Sequence, residues 1–256
     1  MRIRFSNPFS SVFVSILIVM APTAAMAKTA PPEPLALASG WQLQDATKVP
    51  QAGNQVASAG FNTEGWYSAT VPGTVLTTLV NNHVYPEPLY GENNRPEVIP
   101  ESLARTSYWY RTTVKVPKSY GHRHVWLNFD GINYSAVVWV NGTQVGAMRG
   151  AFIRGNFDLT SVVTTGREAV VAVLVTPQPH PGVSHEHTLR TGLGKNGGES
   201  ALDGPTFFST LGWDWIPAIR DRDTGIWQKV FLSSTGPVAF WARAKSKASG
   251  IPSRFQ

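Results

Sequence analysis

Two apolar runs separated by Asn141-Gly142 constrain the fold of this chain more than any other feature. The first run is Ala136–Val140, and the second begins with Thr143–Gly146. Asn-Gly between two such runs is a strong signal for a two-residue β-hairpin turn, because both residues tolerate positive φ. The pattern therefore predicts two adjacent antiparallel strands joined by a tight turn.

Strand signals recur through the rest of the chain, whereas no good amphipathic helix of normal length is found. Residues 107–116 alternate, and the side chains expected on one face are Tyr108, Tyr110, Thr112, Val114 and Val116. Further strands are expected at residues 124–129, 157–160, 169–175 and 227–232. The 23 glycines and 19 prolines suit a fold with many turns. We therefore predict an all-β protein, a β-sandwich of the jelly-roll type.

The net charge of +6 resides at the two ends of the chain. Residues 1–27 contain two arginines and no acid, and residues 238–256 contain four basic residues and no acid. The body between them is neutral, so it lacks the electrostatic footprint of a nucleic-acid-binding protein. The absence of cysteine excludes disulfides and thiolate metal sites.

The N-terminus has the three parts of an export signal. Two arginines are followed by the apolar run 12–20 and by the small-residue sequence Ala25-Met26-Ala27. The apolar run is shorter than the ~20 residues that a membrane span needs. We expect a signal peptide at 1–27, a flexible linker at 28–39, the folded domain at 40–237 and a basic tail at 238–256. The mature chain is expected in the periplasm or secreted, without a membrane span.

The segment Gly212–Pro217 contains two tryptophans that flank one carboxylate: Trp213, Asp214 and Trp215. An aromatic face packs on the C–H patch of a pyranose, and a carboxylate accepts hydrogen bonds from its hydroxyls. These three residues are therefore the predicted sugar-binding residues. The alternatives are that the tryptophans belong to the core and that Asp214 caps a turn.

We predict no catalytic pair and no metal site among the other polar residues of the chain. Residues 177–210 are expected to form a long irregular loop, which in a compact domain is functional or disordered. Arg220–Asp223 is interpreted as a solvated turn whose charges pair with each other, and nothing in the sequence separates the pKa values of Asp221 and Asp223 as a catalytic pair requires. The alternating histidines at 122 and 124, and at 185 and 187, are expected on the surface. No metal and no cofactor are predicted.

Three blocks, residues 66–75, 108–142 and 212–232, resemble the N-terminal sugar-binding domain of glycoside hydrolase family 2. The first block contains Val71-Pro72-Gly73-Thr74, and the third contains the Trp-Asp-Trp segment. The resemblance spans residues 40–236 and is nearest to the β-mannosidase and exo-β-glucosaminidase branch. It implies a fold like that of the galactose-binding domains.

The resemblance also implies a role for the predicted site. In this family the Trp-Asp-Trp segment reaches towards the active site of a later (β/α)8 barrel. Asp214 would then bind hydroxyls of a terminal β-linked mannose or glucosamine, and Trp213 or Trp215 would wall the pocket. The family's acid/base glutamate follows an asparagine, and this chain has no Asn-Glu dipeptide. A barrel needs ~250 residues, so we expect no catalysis by this chain without C-terminal catalytic domains as its partners.

Three functions remain open at this point. The chain is an inactive fragment of a glycosidase, a stand-alone carbohydrate-binding module, or a structural domain that docks a partner through an exposed apolar face. The basic tail favours the first function, because it neither finishes a strand nor carries a cap. An interrupted or frame-shifted reading of a longer gene is expected to end in this way.

Overall fold

Antiparallel strands dominate the part of the chain that the computed structural model describes, which is residues 30–185, 199–201 and 219–236. Two short α-helices are described, α1 (Gly53–Val56) and α2 (Val75–Asn81), with single turns of 3-10 helix at Ala46–Lys48, Glu101–Ala104 and Lys118–Tyr120. The described strands are β1 (Leu35–Ala36), β2 (Gln42–Asp45), β3 (Tyr67–Ser68), β4 (Tyr108–Lys115), β5 (His124–Phe129), β6 (Ser135–Val140), β7 (Thr143–Arg149), β8 (Gly155–Asp158), β9 (Glu168–Thr176), β10 (Val183–His185), β11 (Glu199–Ala201) and β12 (Val230–Thr235).

The strands form two main antiparallel sheets and one small ribbon. The larger sheet has the order β3-β2-β4-β9-β6-β7, the smaller sheet has the order β1-β12-β5-β8, and β10 pairs with β11. Strands that are distant in sequence lie side by side in both sheets, as the pairing of β12 with β5 illustrates. The predicted all-β jelly-roll sandwich is confirmed.

The predicted hairpin is present as β6 and β7. Asn141 and Gly142 have φ values of 49° and 81°, which is the backbone that a two-residue turn requires. The Asn141 side chain adds two contacts, since its Nδ2 donates to the Val162 carbonyl at 2.9 Å and its Oδ1 accepts from the Val170 N–H at 2.9 Å. The turn is therefore fastened to the neighbouring strand β9.

The main core lies between the two sheets and contains the predicted face of β4. All five side chains expected on that face are buried: Tyr108, Tyr110, Thr112, Val114 and Val116. On the opposite face of β4, Trp109 and Arg111 are buried, because residues 46–66 cover this half of the strand with a second apolar cluster, whereas Thr113 and Lys115 are exposed. In that cluster Trp109 lies 5.2 Å from Trp139 between ring centroids. A Cβ at Gly53 would lie 2.2 Å from the Trp139 ring, so only glycine allows this close approach.

The domain begins before the predicted boundary at residue 40. Leu35 and Ala36 pair with Leu232 and Phe231 of β12, and Leu37 is buried in the main core. The prediction of a flexible linker over 28–39 is therefore wrong for these residues. The physical reason is that the edge of β12 offers unpaired backbone groups, which β1 satisfies. The last strand also starts later than predicted, at Val230 rather than at residue 227.

No helix in the described ranges combines the length and the apolar character that crossing a bilayer would demand. The predicted signal peptide at 1–27 and the predicted basic tail at 238–256 lie outside the described residues.

Candidate functional site

The predicted sugar-binding residues Trp213, Asp214 and Trp215 lie outside the described residues. The structure does describe the residues that follow them, and we name residues 219–227 the anchor segment. This segment ends three residues before β12 begins at Val230. Its contacts show how the chain is held from residue 219 onward.

Two arginines of the anchor segment are fully buried and bind one carboxylate. Arg222 Nη2 lies 2.7 Å from Glu101 Oε2, and Arg220 Nη1 contacts Glu101 Oε1. Both arginine side chains have no exposed surface, while that of Glu101 is 29% exposed. The prediction of a solvated, self-paired turn at Arg220–Asp223 is therefore wrong. The pairing acid lies in a 3-10 turn that is 119 residues away from Arg220 in sequence.

The same arginines also bind backbone carbonyls of neighbouring loops. Arg220 Nε donates to the Asn94 carbonyl at 2.7 Å, and Arg222 Nε donates to the Pro181 carbonyl at 2.8 Å. Arg222 Nη1 donates within the segment to the Ile219 carbonyl at 2.9 Å. Buried guanidinium groups need such partners for all their N–H donors. The two side chains thus join the loop that contains Asn94 and the loop that contains Pro181 to the anchor segment.

Asp221 binds the first turn of helix α2. Its Oδ2 accepts from the Leu76 N–H at 2.7 Å, and its Oδ1 accepts from the Asp223 N–H at 2.9 Å. Burial raises the pKa of the Asp221 carboxyl. Hydrogen bonding to the Thr74 side chain and to the two backbone N–H groups, together with the nearby Arg222 charge, only partly offsets that rise. With both oxygens engaged in a fully buried position, Asp221 has the contacts of a structural residue.

Asp223 is in an environment that favours its neutral form. Burial raises its pKa to about 7, the adjacent Asp221 charge adds to this rise, and Arg222 opposes it. Its backbone has φ of 56°, and that of Arg222 has φ of 51°. Such left-handed backbone is uncommon for residues other than glycine. The structure thus supplies the pKa shift that nothing in the sequence suggested, through burial beside a second carboxyl.

Asn133 holds the backbone of the anchor segment in place. Its Nδ2 donates to the Arg222 and Asp223 carbonyls at 2.9 and 3.0 Å. Its own N–H and carbonyl pair with Gly225 in an isolated antiparallel bridge. A Cβ at Gly225 would lie 2.7 Å from the Gly73 carbonyl oxygen and 2.9 Å from the Tyr110 hydroxyl, at a φ of +150°. Glycine is therefore required at this position.

The three sequence blocks that carry the family resemblance meet at the anchor segment. From the first block, the Gly73 N–H donates to the Ile226 carbonyl at 2.9 Å, and the Val75 N–H donates to the Thr224 carbonyl at 2.7 Å. The second block contributes Asn133, and the third block is the anchor segment itself. Sequence reasoning missed Glu101, because only the burial of two arginines reveals that an acid must face them.

The histidines considered as metal ligands do not form a site in the described part of the chain. No group of three or more His, Asp or Glu there is placed to hold a metal ion. His124 Nδ1 lies 3.8 Å from Asp158 Oδ2, and both side chains are nearly half exposed. The side chains of His185 and His187 are outside the described residues. This arrangement supports a surface role for His124.

The chain is similar in sequence to known glycosyl hydrolases. The family model described as "Glycosyl hydrolase 2 galactose-binding domain-like" matches residues 41–228. A mannosylglycoprotein endo-beta-mannosidase from Lilium longiflorum is 35% identical over 208 residues, which cover 79% of this chain and 21% of the relative. An exo-beta-D-glucosaminidase from Amycolatopsis orientalis is 28% identical over 236 residues, which cover 87% of this chain and 20% of the relative.

Solved structures show the same relationship. The crystal structure of the Amycolatopsis orientalis exo-chitosanase matches with a TM-score of 0.62 at 27% identity, covering 81% of this chain and 21% of that chain. A beta-D-mannosidase from Dictyoglomus thermophilum has a TM-score of 0.56 at 23% identity, which indicates a shared fold. The chain thus spans about a fifth of the length of these relatives.

Proposed function

The chain belongs to the galactose-binding-like domain family of the glycosyl hydrolase 2 enzymes, and on that premise we propose that it binds the terminal sugar of a glycosidase substrate. Asp214 accepts hydrogen bonds from the sugar hydroxyls, and Trp213 and Trp215 form the apolar wall. The sugar is a terminal β-linked mannose or glucosamine. The parent protein hydrolyses it by a retaining mechanism.

The observation that carries this proposal is the set of buried contacts that holds the anchor segment. A binding side chain loses less entropy on binding when the backbone beside it is already fixed. Trp215 precedes Ile219 by four residues, and from Ile219 onward the chain is held by buried arginines on Glu101. These contacts support the proposal because they hold the chain from Ile219 onward, four residues after Trp215 in the sequence.

In the same proposal the catalytic carboxylates come from the rest of the parent protein. Retaining hydrolysis needs two carboxyl groups ~5–5.5 Å apart on either side of the scissile bond. Asp221 is unsuited, because both its oxygens are engaged in buried hydrogen bonds. The chain then contributes binding, and the partner domains contribute the chemistry.

We further propose that the chain is exported to the periplasm or secreted after cleavage behind Ala27. The basic start, the apolar run and the small residues before the cut support this. Mass spectrometry of the protein from the periplasm or the medium would give a mature chain that begins at Lys28. A chain that retains its first 27 residues and stays in the cytoplasm would contradict the proposal.

Calorimetry on the mature chain tests the binding role. Mannose, glucosamine and their β-linked oligomers are titrated into the wild type and into Asp214→Ala and Trp215→Ala. We expect a dissociation constant between about 1 µM and a few millimolar, and loss of binding in both variants. Glu97→Ala is the control, since Glu97 is an exposed acid in another loop.

The titration has a clear opposing result. If the wild-type chain binds and both variants bind equally well, Trp213-Asp214-Trp215 is not the sugar site. If the folded wild-type chain binds none of these sugars, the proposal that it binds the terminal sugar is contradicted.

A further inference from the structure

A groove of about 640 Å³ lies on the outer side of the larger sheet, where residues 46–66 cover β4. Its lining shares no residue with the anchor segment or with that segment's contacts. We propose that this groove, named here the Trp66 groove, binds a pyranose oligosaccharide. The residues that carry the argument are Lys48, Gln51, Gln55, Phe61, Glu64 and Trp66.

Two aromatic rings form the apolar part of the groove. Phe61 and Trp66 meet edge to face, with centroids 5.9 Å apart and an angle of 75° between the rings. Both rings are partly buried and pack on the cluster that includes Trp109. Aromatic surfaces of this kind accept the C–H patches of sugar rings, and two rings at a steep angle offer a corner rather than a flat platform.

The loop that holds Phe61 is fixed from below by Arg111. Arg111 Nε donates to the Val56 carbonyl and Nη2 donates to the Ser58 carbonyl, both at 3.0 Å. Its guanidinium also lies 6.0 Å from the centroid of the Phe61 ring. Because β4 orients Arg111, the position of the aromatic corner is set by the sheet. A preformed site loses less entropy on binding.

Exposed polar side chains surround the aromatic corner. The Gln55 side chain is exposed, and its Oε1 accepts from the Ala52 N–H at 3.2 Å. Within the described residues, the side chains of Lys48, Gln51 and Glu64 form no hydrogen bond or ion pair. These groups can therefore donate to and accept from sugar hydroxyls without breaking an internal contact. An apolar wall with a few polar groups around it is the usual composition of a small-molecule site.

The charge and the size of the groove narrow the class of ligand. Lys48 and Glu64 give it one positive and one negative charge, so it lacks the basic surface that nucleic acids or acidic peptides require. Its volume lies within the ~300–1,000 Å³ typical of ligand sites. A neutral or amino sugar chain matches these properties, since Glu64 can bind either a hydroxyl or an ammonium group.

The inference stands on described residues alone and does not depend on the proposed role of Trp213-Asp214-Trp215. If both sites contact one polysaccharide, the groove extends the role of the Trp-Asp-Trp segment, since a second contact raises the effective concentration of the polysaccharide's ends at that segment. The two sites can be separated experimentally because they share no residue.

The experiment uses the absence of cysteine in the chain. Gln51→Cys introduces a single thiol at the rim of the groove, to which an environment-sensitive fluorophore is attached. The labelled full-length chain is titrated with β-linked manno-oligosaccharides and, separately, with chitosan oligosaccharides, which distinguishes a neutral from an amino sugar. Calorimetry on the unlabelled chain then gives the affinities of Trp66→Ala, Gln55→Ala and Glu64→Gln.

We expect a saturable fluorescence change, with binding about tenfold weaker in Trp66→Ala and roughly threefold weaker in Gln55→Ala and Glu64→Gln. Tyr90→Ala is the matched aromatic control, because Tyr90 is 77% exposed and lies outside the groove. Its affinity stays within about twofold of the wild type. Since Trp66 packs on an apolar cluster, urea unfolding confirms that each variant is folded. The exposed positions Gln55 and Glu64 test the groove without that complication.

Either of two results would overturn the inference. The first is an absence of saturable binding by the folded chain. The second is sugar binding whose affinity the groove variants leave unchanged. If Asp214→Ala abolishes that binding, the sugar binds at the Trp-Asp-Trp segment instead. Loss of binding in the groove variants with an unchanged Asp214→Ala would support the groove.

Discussion

Replacement of Glu101 by glutamine is the sharpest test of the anchor segment. Glu101→Gln keeps the shape of the side chain but removes the charge that faces Arg220 and Arg222. One carboxylate oxygen becomes an amide donor that points at a guanidinium. Both buried guanidinium groups would then lose the anion that Glu101 provides, and the loss of one partner is the costly way to break a buried ion pair.

The magnitude follows from burial. Removal of one partner from a buried ion pair costs about 3–5 kcal/mol. Because Glu101 is 29% exposed, water can enter as a partial replacement, and we expect the low end, about 3 kcal/mol. For a domain of this size that loss lowers the melting temperature by roughly 6–12 °C. It is also a large part of the ~5–15 kcal/mol by which domains are stable.

Urea unfolding followed by tryptophan fluorescence measures the free energy of unfolding of the wild type and the variant. Glu97→Gln is the control, since Glu97 is an exposed acid that precedes Glu101 by four residues in the sequence. It should change the free energy of unfolding by less than about 0.5 kcal/mol. In an Arg220→Met/Arg222→Met background, Glu101→Gln should cost less than about 1 kcal/mol, because no buried cation is left unpaired.

The pH dependence of the free energy of unfolding provides a second test of the contact between Glu101 and the two arginines. Burial raises the pKa of Glu101, but the hydrogen bonds and charges of Arg220 and Arg222 outweigh this effect, so the pKa is lowered overall. A lowered pKa contributes stability above the unfolded value of ~4.3, and that stability is lost as the pH falls through the folded value. The gap between wild type and Glu101→Gln should therefore narrow below about pH 4. A variant as stable as Glu97→Gln at pH 7 would refute the reasoning.

Three further predictions concern the anchor segment and the N-terminus. Asp223→Asn should stabilise the domain at neutral pH, because a carboxyl whose pKa is raised to about 7 costs stability as the pH rises from about 4 towards 7; a stability difference that is independent of pH would contradict this. Gly225→Ala should lower the free energy of unfolding by more than about 2 kcal/mol, because its Cβ meets the Gly73 carbonyl oxygen at 2.7 Å. Gly65→Ala, which has positive φ but open space, should cost only about 1 kcal/mol, and equal costs at the two positions would show that the clash is irrelevant. Blocking the cleavage site with Ala27→Pro should leave the first 27 residues attached in the exported protein, which an unchanged mature mass would disprove.

Local pattern predicted the elements whose cause is local. The alternation of residues 107–116 predicts β4, and Asn141-Gly142 predicts the β6–β7 turn, since periodicity and turn backbone depend on near neighbours. The errors fall where pairing is distant. Leu35–Ala36 becomes a strand only because the edge of β12, almost 200 residues later, needs a partner.

The candidate site shows the same division. The chemistry of Trp213, Asp214 and Trp215 as sugar-binding residues can be proposed from the sequence, because side-chain type alone defines it. The burial of Arg220 and Arg222 could not be predicted, since their carboxylate partner lies 119 and 121 residues away. From the sequence alone, an Arg-Asp-Arg-Asp run predicts a solvated turn. Its burial becomes evident only when the distant acid and the backbone carbonyls that the arginines bind are known.

The sequence by itself determined the fold class, the family and the types of side chain available for sugar binding, because these follow from short-range periodicity and from motifs that are contiguous in the chain. The tertiary structure alone decided that the three family blocks meet at the anchor segment and that residues 46–66 leave a groove beside Trp66. The physical reason is that burial, charge pairing and the shift in the pKa of Asp223 depend on groups that only folding brings together.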